Sequence, residues 1–216
     1  MLTAIACIFG IFALLVISEI LWMYKILKGE DQRKFVHITA GTFIAFWPWL
    51  LSYKAIAFMG LALLAIILVN RWRIIFHFRT GVNRETYGDI FFALVIIFCA
   101  LISPPKIFFT LAILHMSLAD GFAAVIGQKY GKQWRYKVFR HTKSVVGSMT
   151  FWFVSVCILG TGVLFANGLI SYGPYVVLLL LLPPVLTVVE NIGILGFDNI
   201  FVPLAVLLAL RLAQVA

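Results

Sequence analysis

Apolar runs long enough to cross a bilayer follow one another along this whole chain. They occupy residues 2–24, 36–53, 55–70, 87–103, 107–128, 144–165, 174–189 and 199–215. A helical span needs about 20 mostly apolar residues, because hydrocarbon cannot satisfy a bare peptide group and a helix satisfies its own. Eight such runs predict an all-α, polytopic integral membrane protein, with seven spans the alternative because the last run has a short charge-free part. A chain that is 63% hydrophobic and 12% charged leaves no room for a separate soluble domain. No repeat or linker interrupts it, so residues 1–216 read as one transmembrane domain. The first run has no basic residue before it and no small-residue cleavage site after it, so it reads as a retained span. Cys7, Cys99 and Cys157 all fall in apolar runs without metal or pairing spacing; they read as small hydrophobes.

The charges then set an orientation. Lys25, Lys28, Arg33 and Lys34 lie in the first loop; Arg71, Arg73, Arg79 and Arg84 in the third; Lys129, Lys132, Arg135, Lys137, Arg140 and Lys143 in the fifth. These are 14 of the 17 basic residues. The positive-inside rule puts those loops in the cytoplasm and the N-terminus outside. The net charge of +9 therefore fits anionic membrane lipid and not nucleic acid. Glu30, Asp31, Glu85, Asp89, Asp120, Glu190 and Asp198 lie on the same side. Acidic residues contribute little to topology, so a shared site is the simplest cause. Carboxylates for hard cations beside cations for phosphates suit a metal–nucleotide complex.

Asp120 is the focal residue. It lies inside the fifth run, where an ionisable group costs roughly 2.5–3.5 kcal/mol and marks function by default. Ala119, Ala123, Gly127 and Gly131 recur at every fourth position and give its helix a smooth face. Gly127 to Lys132 imitates a phosphate-binding P-loop but has one residue too few between the glycines, and Gln133 where Ser or Thr must stand. His115 and Asp120 match the His-x4-Asp pattern of glycerolipid acyltransferases. On a uniform α-helix the two would point about 140° apart, which reads as a packed histidine and not a shared proton.

Four other stretches carry chemistry. Arg33, His37 and Gly41 share one helix face, suited to phosphate or carboxylate contact or to anchoring at the membrane surface. Glu85 and Asp89 open the fourth span, where carboxylates favour any helix start by about 0.3–1 kcal/mol. Lys143, Ser144, Gly147 and Ser148 open the sixth span. Its free N–H groups make an anion site, while capping explains only one of the two hydroxyls. Glu190, Asp198 and Asn199 lie around the turn before the last span and offer oxygen ligands for Mg²⁺ or Ca²⁺. Pro183-Pro184 is expected to interrupt the seventh span.

Arg33-Lys34-x-x-His37, Ala119-Asp120-Gly121 with Gly127 and Gly131-Lys132, Lys143-Ser144-x-x-Gly147-Ser148, Glu190, and Asp198-Asn199 with Pro203 together resemble the CTP-dependent lipid-alcohol kinases. These include dolichol, polyprenol and phytol kinases and the yeast-type diacylglycerol kinase, with a distant relation to phosphatidate cytidylyltransferases. The resemblance covers residues 33–203. The chain departs at Asp89, where many relatives carry Glu. The resemblance implies transfer of the γ-phosphate of CTP to a long-chain lipid alcohol at the cytoplasmic face, with Mg²⁺. It implies catalytic roles for Asp120, Lys143, Glu190 and Asp198, with Asp120, Glu190 and Asp198 as metal ligands. It implies nucleotide or phosphate contact by Arg33, Lys34, His37, Gly127, Gly131, Lys132, Lys143, Ser144, Gly147, Ser148 and Asn199. A CDP-lipid-forming cytidylyltransferase uses similar parts. A transporter would place its polar groups near the midplane, and here they gather on one side.

Overall fold

The computed structural model describes residues 2–73, 75–77, 86–139, 141–166 and 168–215. Helices occupy α1 (Leu2–Met23), α2 (Gly29–Ala45), α3 (Tyr53–Trp72), α4 (Gly88–Ile102), α5 (Lys106–Leu114), α6 (Asp120–Tyr130), α7 (Val145–Leu164), α8 (Tyr172–Ile192) and α9 (Asp198–Val215). α5 and α6 are halves of one continuous span, Lys106–Tyr130, joined by a wide π-turn at His115–Ala119. Each of the eight apolar runs thus contains helix. Among the described residues six helices are long and apolar enough to cross a membrane, and the chain is a polytopic α-helical membrane protein.

The Lys106–Tyr130 span is the axis of the bundle. Of its most apolar stretch 67% is buried, against 11% for Leu2–Met23, which lies at the rim. Phe108, Phe109 and Ala112 of α5 meet a core that includes Ile44 and Ala45 of α2, Ile96 of α4, Phe151 and Leu159 of α7, Leu186 of α8 and Leu210 of α9. Each fully buried large side chain contributes roughly 1.5–3 kcal/mol relative to exposure to water, but between helices in lipid the gain comes from close packing instead.

Three details differ from the expectations. The second helix starts at Gly29, ahead of the predicted run, because Glu30 and Asp31 favour its first turn. It stops before a single 3₁₀ turn, Trp47–Trp49, which contains Pro48. α8 runs unbroken through Pro183 and Pro184, with Leu182, Pro183 and Leu186 buried against neighbouring helices. Tertiary packing holds the helix where sequence rules end it. Last, the basic loop after α6 contains an antiparallel hairpin, β1 (Arg135–Val138) and β2 (His141–Ser144), in which Tyr136 stands opposite Lys143.

Candidate active site

The starts of α2, α4, α7 and α9 and the ends of α6 and α8 gather at one end of the bundle around a cavity of about 520 Å³. Asp120 enters it from α6, immediately after the π-turn. The Asp120 N–H donates to the His115 carbonyl five residues back, and such wide turns recur at functional positions. Lys34 of α2 is buried and places its Nζ 2.6 Å from Asp120 Oδ2. His37 Nε2 lies 3.3 Å from the same oxygen and 2.8 Å from the Met116 carbonyl. Arg33, one position earlier, lines the cavity and makes a bidentate pair with Glu30.

Glu190, at the end of α8, faces Lys143 of β2. The Lys143 Nζ donates both to the Glu190 carboxylate and, at 3.2 Å, to its carbonyl. Burial disfavours the Lys143 ammonium, but Glu190, with Asp198 and Asp120 behind it, outweighs this and holds its pKa above the usual lysine value. Asp198 opens α9 and makes no direct ion pair among the described residues, with Lys34 and Lys143 its cationic neighbours. Carboxylate oxygens of Asp120, Glu190 and Asp198 all lie within 4.8 Å of one another. Three hard oxygen donors at that spacing, two of them paired with Lys34 and Lys143, fit a divalent cation such as Mg²⁺.

The wall opposite is built from close backbone contact. At Gly127 an added Cβ would stand 2.8 Å from Ser144 Oγ and 3.0 Å from Gly147 Cα, so α6 and α7 cross without side chains between them. Ser144 Oγ accepts from the Gly147 N–H at 3.1 Å and lies 3.4 Å from the Gly127 carbonyl, which is the capping role. Ser148 contacts Tyr136 Oη at 2.5 Å and donates to Asn191 Oδ1 at 3.2 Å. On the far side Gly196 adopts φ +97° against Gly88, and Asn199 Nδ2 donates to the Gly88 carbonyl at 2.9 Å.

The structure thus brings Arg33, Lys34, Asp120, Gly127, Lys143, Ser144, Gly147, Ser148, Glu190, Asp198 and Asn199 to one cavity. His37 sits behind Asp120 and Gly131 behind Ser144. Two of the expected residues stand apart from the cavity. Lys132 is exposed and outside the cavity lining. Asp89 is also outside it and pairs with Arg71 of α3, which in turn donates to the Thr86 carbonyl. Glu85 lies outside the described residues. His115 is buried, with Nδ1 2.7 Å from the Leu111 carbonyl. The π-turn invalidates a uniform 100° step between His115 and Asp120, yet Asp120 finds its partners on α2 and not at His115. Tyr136, Asn191, Arg135 and Thr86 went unrecognised in the sequence. Alternation across Arg135-Tyr136-Lys137-Val138 was the available signal for the hairpin.

No protein-family profile and no solved structure matches the chain. Among curated proteins it is 32% identical over 206 residues to phytol kinase of Synechocystis sp., covering 89% of this chain and 83% of that one. The chain belongs to the phytol kinase family. It is therefore a lipid-alcohol kinase.

Proposed function

We propose that this kinase transfers the γ-phosphoryl group of CTP to a long-chain isoprenoid alcohol of the phytol class, at the cytoplasmic side of the membrane. The observation that carries the reading is the carboxylate trio, within 4.8 Å, facing Lys143 and the N-terminus of α7. Phosphoryl transfer asks the protein mainly for positioning and charge neutralisation. Lys143, Ser148 and the first N–H groups of α7 contact phosphate, while Arg33 and Arg135 supply further positive charge at the cavity wall. Asp120, Glu190 and Asp198 hold Mg²⁺, which supplies charge neutralisation of the phosphates when bound. The alcohol oxygen bonds to the γ-phosphorus beside Asp120, which Lys34 and His37 fix, its proton passes to a carboxylate of this cluster, and CDP leaves. CTP as donor follows the motif resemblance, and the cytoplasmic placement follows the basic loops.

Product analysis tests the reading. Purified protein with phytol, Mg²⁺ and γ-labelled CTP should yield labelled lipid monophosphate, whereas α-label should remain in CDP. Label from the α position in the lipid would make the protein a cytidylyltransferase. Equal turnover with ATP would remove CTP as the preferred donor.

A further inference from the structure

Tyr136 ties the β1–β2 hairpin to two helices of the bundle. Its side chain is half-buried, between the exposed Arg135 and Lys137. Tyr136 Oη lies 2.5 Å from Ser148 Oγ of α7 and donates at 2.8 Å to Asn191 Oδ1 of α8. Ser148 Oγ stands 3.2 Å from the same Asn191 oxygen. Of the three residues Ser148 alone lines the cavity. The triangle therefore reaches the cavity only through the serine hydroxyl.

Protons are short in this triangle. An amide oxygen only accepts, whereas a hydroxyl has one proton to give and can also accept. Two hydroxyl protons cannot supply three contacts with one each. While Tyr136 donates to Asn191, that oxygen is satisfied whatever Ser148 does, and the serine proton can turn to the cavity. Without the phenol, Ser148 is the one hydroxyl that reaches Asn191 Oδ1 among the described residues. Turning its proton to an anion would then leave the half-buried amide oxygen unpaired, and an acceptor left unpaired away from water is costly.

We infer that Tyr136 is a positioning residue for phosphate binding: by donating to Asn191 it frees the Ser148 proton for the phosphate. The assignment rests on the proposed contact between Ser148 and the nucleotide phosphates, and it names the group that makes this contact available. It gives the hairpin a second role beside carrying Lys143, which stands opposite Tyr136 in register.

Titration calorimetry on the full chain in lipid nanodiscs tests it, with Mg²⁺ and without lipid alcohol. CTP and inorganic triphosphate serve as separate probes. Ser148→Ala should weaken the Kd about tenfold and Tyr136→Phe about fivefold, as loss of one hydrogen bond to a charged group and loss of its support would. The double variant Tyr136→Phe/Ser148→Ala should bind no more weakly than Ser148→Ala, because Tyr136 acts through Ser148. Tyr136→Phe/Asn191→Leu should return to within about twofold of the parent, since Leu keeps the shape of Asn and has no oxygen to hold the serine proton. In turnover, Tyr136→Phe should raise KM for CTP with little change in kcat. Losses that multiply to about fiftyfold in Tyr136→Phe/Ser148→Ala, or no recovery in Tyr136→Phe/Asn191→Leu, would show that Tyr136 only anchors the hairpin and would overturn the assignment. The expected pattern with triphosphate in a protein that does not bind CTP would support the assignment and refute CTP as the donor. A parent protein that binds neither probe would overturn both.

Discussion

Lys34 and Asp120, 86 residues apart in sequence, meet at 2.6 Å with both side chains buried. Neither charge is tolerable alone at that depth. Removing one partner of a buried pair costs about 3–5 kcal/mol, because the other is left uncompensated. Lys34→Ala should therefore lower the thermal midpoint and remove turnover. Lys132→Ala, exposed and outside the cavity, should stay within about twofold of the parent in kcat/KM. Matching losses from the two variants would mean that both lysines act only through net charge.

Lys143 should matter through charge at the phosphates. Lys143→Ala is expected to lower kcat/KM by more than tenfold, about 1.4 kcal/mol, as loss of a charge-assisted contact does. Lys106→Ala, at the other end of the bundle, is the control. Glu190 holds the Lys143 pKa upward, so the ammonium persists as pH rises past the ordinary lysine range. The defect should accordingly be constant from about pH 6 to beyond the ordinary lysine value of about 10.4. A defect that vanishes toward the alkaline end of a pH–rate profile would contradict the pairing with Glu190.

The crossing of α6 and α7 sets the cavity wall. Gly127→Ala pushes a methyl group to 3.0 Å from the Gly147 Cα, against backbone that cannot rotate away. It should cost about 1–3 kcal/mol of stability and reduce turnover with it. Gly173→Ala, with nothing within 4 Å of the added carbon, should be near neutral. Thermal unfolding in one detergent compares them, and an equally stable Gly127→Ala would show that the wall yields.

Asp198 gives a metal prediction. Chelation should stop turnover and Mg²⁺ restore it. Asp198→Asn should raise the Mg²⁺ concentration for half-maximal activity by at least about tenfold, since a neutral oxygen is a poorer hard-cation ligand than a carboxylate. Full activity after exhaustive chelation would remove the cation from the account.

Much of this was readable in the residues. The eight apolar runs carry their own signal because lipid permits few alternatives to helix. Asp120 stood out because an ionisable group inside a span is rarely idle, and Glu190 and Asp198 because they offer oxygen ligands around the turn before the last span. Their convergence was not readable, because it depends on how helices cross, and sequence spacing speaks only within one helix. Lys34 was off the Arg33–His37 face that spacing favoured, yet it holds Asp120. Asp89 looked like a site residue because acids suit any helix start, and tertiary contact gave it to Arg71. The Pro183-Pro184 break failed for the same reason in reverse, with neighbouring helices overriding a local rule. Tyr136 was hidden in a run of basic residues whose alternation is only a few positions long.

The most direct measurement compares Asp120→Asn with His115→Gln, assayed side by side with γ-labelled CTP and phytol. Asn keeps the shape of Asp120 but loses the charge that a cation and the alcohol proton require and leaves Lys34 without its counter-charge, so Asp120→Asn should insert with a lowered thermal midpoint and, assayed where it remains folded, show no transfer above background. His115, whose ring hydrogen-bonds the Leu111 carbonyl, should lose less than about tenfold on replacement by Gln. An active Asp120→Asn beside a dead His115→Gln would contradict the account, moving the chemistry to His115 and away from the three carboxylates.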